Sequence, residues 1–552
     1  MRPIAAALFS AFVAFLISTV YGKGVLETLS IRFEDSFPHS GLDFVLNNCP
    51  TKQKSLVETM AGGMAAFDFN NDGRTDLFFA NGAELPSLVK TGPQYFNRLY
   101  RNDGGDHFTD VTAESGLAGS GYSIGAAAAD FDNDGFVDLF VAGPGGCHLY
   151  RNIEGRRFED VTEKAGIHCG SWPITAGWLD YDRDGLLDLF VVNYVEWAGA
   201  ASPVCHDSSG RFVVYCNPTQ FPSTSNNLYR NLGGGRFQDV SKTSGIAASH
   251  GKGMSVAIAD YDRDGYPDIF VPNDTMPNSL FHNLRNGRFE ETALNAGVAL
   301  PDSGRPVSSM GAAFEDYNND GLPDLAVTAL TRQTFPLFRN LGKGQFEEVT
   351  YPSGMGPLSM RLSGWGNAVA DFNNDGWKDM FTANSHVTDN IELFSGDQYK
   401  QANSIFVNRG DGTFADTSAL SGPEFQVRRA HRGVVAADFD GDGKLDAIVT
   451  ALGEHPEFWR NVTSEQNHWI ELRLIGSRSN RDGIGAVIHV GNQWNSQTSN
   501  FGYASSVLAP VHFGVGAQIV IPRVQITWPS GIVQQLRDVK TDKRIDVSEP
   551  RQ

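Results

Sequence analysis

The sequence predicts an all-β protein: a seven-bladed β-propeller built on acidic hairpin loops, followed by a small C-terminal β-sandwich-like domain. Three observations carry this. A nine-residue acidic loop recurs seven times; each copy follows small apolar residues and leads into a strand-like run; and most copies continue into two further strand-like segments. Four short strands per unit, repeated seven times, is the arithmetic of a propeller.

The loops begin at Asp68 (DFNNDGRTD), Asp130 (DFDNDGFVD), Asp180 (DYDRDGLLD), Asp260 (DYDRDGYPD), Asp316 (DYNNDGLPD), Asp371 (DFNNDGWKD) and Asp438 (DFDGDGKLD), spaced 50 to 80 residues apart. In the second unit GAAAA (Gly125 to Ala129) precedes the loop and Leu139 to Val141 follows it. LYRN (Leu149 to Asn152), a Gly-rich turn and RFEDVT (Arg157 to Thr162) complete the unit. Small residues suit the innermost strand, because the inner strands crowd together around the axis. After the seventh loop a third segment, Phe458 to Asn461, has no fourth behind it. The matching pattern stands near the N-terminus, in Arg32 to Asp35 and Ser40 to Leu42, so the N-terminal strand should complete the last blade.

In DxDxDGxxD, positions 1, 3, 5 and 9 offer side-chain oxygens, position 7 a backbone carbonyl, and Gly at position 6 permits the sharp turn. The candidate ligands of the first three loops are Asp68, Asn70, Asp72, Arg74 and Asp76; Asp130, Asp132, Asp134, Phe136 and Asp138; and Asp180, Asp182, Asp184, Leu186 and Asp188. The fourth and fifth offer Asp260, Asp262, Asp264, Tyr266 and Asp268, then Asp316, Asn318, Asp320, Leu322 and Asp324. The sixth and seventh offer Asp371, Asn373, Asp375, Trp377 and Asp379, then Asp438, Asp440, Asp442, Lys444 and Asp446. Hard oxygen ligands in this number suit Ca²⁺, up to seven ions in all. An EF-hand would need flanking helices and Glu at position 12, where Phe79 or Val141 stands instead. The rival reading is a set of metal-free Asp/Asn/Gly turns, against which stand three or four like charges packed into each of seven loops. Asn70, Asn318 and Asn373 leave their loops one charge short, which predicts weaker binding there.

The ends and cysteines add context. Residues 1–22 hold one Arg, a largely apolar run from Ile4 to Val20, and small residues near a cleavage point; they read as a secretory signal peptide rather than a membrane anchor. The mature chain is then expected to lack a transmembrane anchor and to be secreted or extracellular, in the periplasm or at the cell surface in a bacterium. Five cysteines are sparse, and Cys205 with Cys216, then Cys147 with Cys169, are the expected bridges.

The net charge is −20, from 64 acidic and 44 basic residues, which argues against nucleic acid as a partner. The seven loops hold 25 of those acids at ligand positions and five of the bases, Arg74, Arg183, Arg263, Lys378 and Lys444, leaving 39 acids and 39 bases elsewhere. Apart from its loops the protein is a near-neutral scaffold.

These repeats resemble the FG-GAP/VCBS repeats of integrin α-subunit propellers, and are still more similar to the cartilage acidic protein family, in which such repeats precede an ASPIC/UnbV domain. GIGAV (Gly483 to Val487), GYAS (Gly502 to Ser505), HFGVG (His512 to Gly516) and WPSG (Trp528 to Gly531) occur in that family's order. Ser506 stands where the family usually has Gln, and the polar run Asn492 to Asn500 replaces an Arg-bearing stretch. The resemblance implies an exported calcium-binding protein of adhesion or matrix type, without established catalytic residues. Its units would be a propeller over 30–463 and a β domain over 467–548, where WIELRLIG and VQITWP alternate as short strands.

Propeller topology puts the acidic loops on one face and the long irregular connections, 81–97, 193–227 and 384–403, on the other. Connections entering the inner strands carry Trp172, His250, Lys252, Arg305, Arg361, Trp365, Arg428, Arg429, His431 and Arg432. This basic and aromatic set is a candidate site at the channel mouth for an anionic glycan or a partner's carboxylate, with salt bridges between blades as the rival reading. Gly121 to Gly125 matches GxSxG, yet an inner strand is expected where a nucleophile elbow needs a helix. The resulting expectation is a non-catalytic binding or adhesion module for an extracellular protein or glycan, with a polysaccharide hydrolase or lyase as the alternative. The sequons at Asn273 and Asn461 matter only in a eukaryotic source.

Overall fold

The computed structural model describes residues 30–170, 172–197, 199, 202–464 and 467–551; the segment read as a signal peptide lies outside them. No helix among the described residues is long and apolar enough to cross a membrane.

Seven sheets, the blades, follow one another along the chain: six have four antiparallel strands, and the first has four antiparallel strands extended to six by a C-terminal hairpin. The second shows the plan: Gly125–Ala129 innermost, then Asp138–Gly143, Gly146–Ile153 and Arg157–Asp160 at the rim. All five inner residues are buried, since neighbours press on both faces, whereas only Phe158 of the rim strand is. The rim strand of the seventh blade is Phe33–Asp35, with Phe33 opposite Asn461 and Asp35 opposite Trp459. The disulfides Cys147–Cys169 and Cys205–Cys216 are both formed.

One interlock joins every blade to the one before it. An Asn at or near the end of each third strand donates from Nδ2 to the carbonyl of the second loop residue of the preceding blade, at 2.7–2.9 Å. Asn152 reaches Phe69 in this way and Asn231 reaches Phe131; Asn102 of the first blade reaches Phe439 of the last, so the sheets join into a ring. The rim-strand Phe packs on the ring of that same second residue, with centroids 5.7–6.3 Å apart at all seven junctions. Such aromatic pairs contribute about 0.5–1.5 kcal/mol each beyond their buried area. In the folded chain the two sequons are closed to glycosylation: Asn461 and Asn273 are both 1% exposed, Asn461 spending its amide in the interlock and Asn273 on the Pro277 carbonyl.

The C-terminal domain is a sandwich. A three-stranded sheet centred on His468–Ile475 faces a four-stranded one through Ile470, Leu472, Ile488, Phe513, Val524 and Trp528. Its hairpin, Asn500–Phe501 and Ser505–Leu508, leaves the sandwich and enters the propeller. There Ser506 pairs in parallel with Ala65 of the first blade's inner strand, and Leu508 with Phe67. At the tip Tyr503 is fully buried, donates from its hydroxyl to the Met60 carbonyl at 2.7 Å and stands edge-on to Trp365. A methyl group on Gly63 would lie 2.1 Å from the Ala504 carbonyl oxygen, so only glycine lets the plug this close. Residues 500–508 therefore belong to the propeller in space, although the division into 30–463 and 467–548 assigns them to the second unit.

Asn231→Ala leaves the carbonyls of Phe131 and Leu187 without their donors. We expect a cost of about 2–4 kcal/mol, read as a lower urea midpoint; an unchanged midpoint would contradict the interlock.

Candidate metal centres

Each acidic loop is wound by its own side chains. In six loops the first carboxylate accepts from the backbone N–H of position 5 and of Gly at position 6, as Asp130 does from Asp134 (3.1 Å) and Gly135 (2.7 Å); in the seventh, Asp438 accepts from Gly441 at position 4 and Gly443 at position 6. The fifth accepts from the N–H of position 7, as Asp134 does from Phe136. The ninth, at most 1% exposed in every loop, accepts through Oδ1 from the interlocking Asn's N–H, and in six loops through Oδ2 from that of position 2. Position 6 has φ of +84° to +94° and position 4 of +57° to +80°, both left-handed. Glycine is the residue that tolerates the first; Asn, Arg or Gly serve the second.

Position 4 therefore points away from its own loop toward the next. Asn71, Asn133, Asn319 and Asn374 donate to the position-6 carbonyls of Gly135, Gly185, Gly376 and Gly443 in the following loops, at 2.7–3.1 Å. Arg183 lies over Tyr266 of the fourth loop, and a methyl group on Gly321 of the fifth would meet the Arg263 guanidinium at 2.8 Å. The loops form a linked girdle, broken only after the seventh, where position 4 is Gly441.

The fit to a cation rests on oxygens that the protein leaves unused. Carboxylate oxygens of Asp130, Asp132 and Asp138 lie within 4.8 Å of one another, as do those of Asp180, Asp182 and Asp188, of Asp260, Asp262 and Asp264, and of Asp438, Asp440 and Asp446. Within these sets Asp132 Oδ1 and Asp182 Oδ1 are buried without any hydrogen-bond partner, and Asp324 Oδ2 of the fifth loop shares that state. An orphaned buried carboxylate oxygen is costly unless a cation takes it. The site residues would supply the side chains of positions 1, 3, 5 and 9 to an oxygen-seeking divalent ion.

Loops with Asp at position 3 also attract a cation from their third strand. Arg151 bridges Asp132 and Asp134 (2.5 and 2.8 Å), Arg230 bridges Asp182 and Asp184 (2.7 and 3.2 Å), Arg460 meets Asp440 at 2.8 Å, and His282 faces Asp262 and Asp268. Where position 3 is Asn the strand cation turns elsewhere, Arg101 to Asp103 and Arg339 to Glu347, or is absent, as at Val407. One guanidinium thus offsets the additional carboxylate of the second, third and seventh loops.

The channel-mouth set is largely closed. Trp172 is buried against Tyr194 and Trp197, Lys252 Nζ donates to the Pro218 carbonyl, and the buried Arg432 guanidinium lies 4.0 Å over Trp365 while Nε donates to Thr59 O. Four of the eight expected ligand residues, Trp172, Lys252, Trp365 and Arg432, are therefore structural, in part because Tyr503 rests on Trp365 from inside the channel. Arg305, Arg361 and Arg428 are exposed, and Arg429 pairs with Glu454 and Glu457 at 3.0 and 2.9 Å. Ser123 precedes an inner strand rather than a helix, so the GxSxG match lacks its elbow.

Sequence reasoning missed the C-terminal residues that reach the girdle. Asp482 accepts from the Asp130 N–H at 2.7 Å, His512 bonds Asn374 at 2.7 Å, Trp494 stacks on Arg263, Trp469 covers Gly443, and Arg544 donates to the Gly73 carbonyl. Gly483 signals a turn next to Asp482 but nothing local names the loop it meets.

An FG-GAP-like repeat profile matches residues 68–141, 130–191, 212–271, 264–327, 316–382 and 390–449. The chain belongs to the FG-GAP-like repeat family. A second profile, ASPIC and UnbV, matches residues 476–552. Cartilage acidic protein 1 of Mus musculus is 26% identical over 306 residues, covering 53% of this chain and 44% of the relative; the Homo sapiens protein gives 26%, 53% and 43%. The match thus spans less than half the length of these relatives. Among solved structures, an Agrocybe aegerita lectin that recognises non-reducing terminal N-acetylglucosamine has a TM-score of 0.38 and 15% identity, covering 73% of this chain and 94% of the lectin. A Bacillus licheniformis rhamnogalacturonan lyase has 0.37 and 12%, covering 78% and 75%. Neither score supports an inference about activity.

Burial raises the first carboxylates of the third, fourth and seventh loops, Asp180, Asp260 and Asp438, to about 7, against about 4 for an unfolded carboxylate. Folding then takes up protons between these values, so their contribution is present below about pH 4 and is lost as pH rises to about 7. We expect the melting temperature of the metal-free protein to fall over that range and added calcium to cancel the fall. A metal-free melting temperature that rises from pH 5 to 7 would contradict it.

Proposed function

We propose that the chain is an exported, calcium-binding, non-catalytic binding module that presents its loop-rich face to an extracellular protein or an anionic glycan. The observation that carries the calcium reading is the grouping of carboxylate oxygens within 4.8 Å in four of the loops, together with the buried Asp132 Oδ1, Asp182 Oδ1 and Asp324 Oδ2 that no protein group satisfies. Bound ions would supply charge neutralisation and fix the loops; the chain's residues supply the oxygens and hold them in register.

The binding reading is supported by the state of the channel mouth. Arg429, His431, Lys400, Glu454 and Glu457 form a connected ion-pair cluster there, and Glu457 is held below the usual carboxylate range, His431 and Arg429 overcoming its burial. Glu457 therefore lacks the raised carboxyl that a general acid needs. Exposed Arg305, Arg361 and Arg428 remain for an anionic ligand, through bidentate contacts to carboxylate or sulfate.

Calorimetric titration should find several calcium ions per chain, and saturating calcium should raise the melting temperature by several degrees over chelator, since a ligand at a hundred times its Kd adds about 2.7 kcal/mol per site. Identical melting in both would refute the metal. In a screen of acidic glycans and extracellular proteins, Arg361→Ala with Arg428→Ala should weaken any hit about tenfold or more; unchanged binding would remove this face as the site.

A further inference from the structure

Every acidic loop touches the C-terminal domain. At the second loop Asp482 accepts from the Asp130 N–H and Arg481 N–H donates to Asn133 Oδ1, both at 2.7 Å. At the third, Arg183 donates from Nε and Nη2 to the Pro529 carbonyl. Trp494 packs on Arg263 of the fourth and against Gly321 of the fifth. At the sixth, His512 meets Asn374 and Gly516 N–H donates to the Asn374 carbonyl; at the seventh, Trp469 covers Gly443. Apart from Asp482, which meets position 1 of the second loop, these contacts fall on positions 4 and 6, the places where the loop is left-handed.

The first loop is the telling case. Elsewhere in the girdle a propeller side chain at position 4 bonds or packs on the next loop, but the seventh loop has Gly441 there and cannot. In its place Arg544 of the C-terminal domain donates to the Gly73 carbonyl while its Nε binds Glu471 at 2.9 Å, and Trp469, two residues before Glu471 in the same strand, covers Gly443 of the seventh loop. The C-terminal domain, through Arg544 on the first loop and Trp469 on the seventh, spans the gap between the propeller's last and first loops.

We propose that the C-terminal domain is a clamp on the acidic girdle whose docking is thermodynamically linked to cation filling: ions shape the loops that the domain grips, and Arg544 completes the ring of loops that the ions stiffen. This rests on the calcium reading above. Because linkage is reciprocal, calcium should tighten docking and loss of the clamp should weaken calcium. Docking carries the Asn500–Leu508 hairpin with it, so calcium would also govern whether the channel stays plugged.

The test uses the full chain. Calcium binding is measured by titration calorimetry, and backbone hydrogen exchange is followed in saturating calcium and in EGTA. We expect exchange at residues 499–508 to accelerate about tenfold or more in EGTA while the inner blade strands stay protected. Arg544→Gln should weaken at least one class of calcium sites about tenfold, some 1.4 kcal/mol, and Arg544→Lys should restore part of the loss. If calcium binds but exchange at 499–508 is the same in both conditions, the linkage is overturned and the calcium reading stands. If no calcium binds, both fall. Should Arg544→Gln not fold, the wild-type exchange experiment decides alone; should it fold and bind calcium as wild type does, Arg544 is not the closing residue.

Discussion

The structure depends on one junction, repeated around the ring: the second residue of each acidic loop. Its carbonyl accepts the Asn amide of the next blade, its aromatic ring receives that blade's rim Phe, and in six loops its N–H is pinned by the buried Asp nine positions into the motif. Blade-to-blade cohesion and loop geometry are therefore the same set of contacts. A loop that changes shape moves the carbonyl on which its neighbour hangs, and a ring of blades has no free end at which to absorb the movement.

That arrangement gives the concentrated negative charge a physical role. Buried carboxylates at positions 1 and 9 are costly as anions, and burial pushes those of the second and sixth loops up as well. The protein meets the cost in two ways, with N–H donors from the loop backbone and with Arg151, Arg230 and Arg460 or His282 where position 3 adds a further carboxylate. What these do not satisfy, Asp132 Oδ1 and Asp182 Oδ1 among them, is left for a cation. The net charge of −20 is in large part this unfilled demand, and seven divalent ions would reduce it to −6.

Much of this was legible because it is periodic. The acidic motif, the small-residue inner strands and the displaced N-terminal strand recur at fixed places in a repeated unit, and repetition allows a local pattern to be read with assurance. The interlocking Asn was visible as the last letter of LYRN, though its partner across the blade boundary was not. The plug was not legible at all: Ala65 and Ser506 pair across 441 residues, and GYAS marks the family without naming a partner. The same hidden contact explains the burial of Trp365, an aromatic near the axis that sequence alone places at an open mouth. Arg544 escaped notice for the opposite reason, since its meaning lies in a side chain that Gly441 lacks.

The most direct measurement of the account is anomalous diffraction from crystals grown in calcium. It requires ion peaks about 2.3–2.6 Å from carboxylate oxygens in the second, third and seventh loops, with Asp132 Oδ1 and Asp182 Oδ1 among the ligands. Clear maps that show Arg151, Arg230 and Arg460 closing those loops, with no anomalous peak beside them, would contradict it.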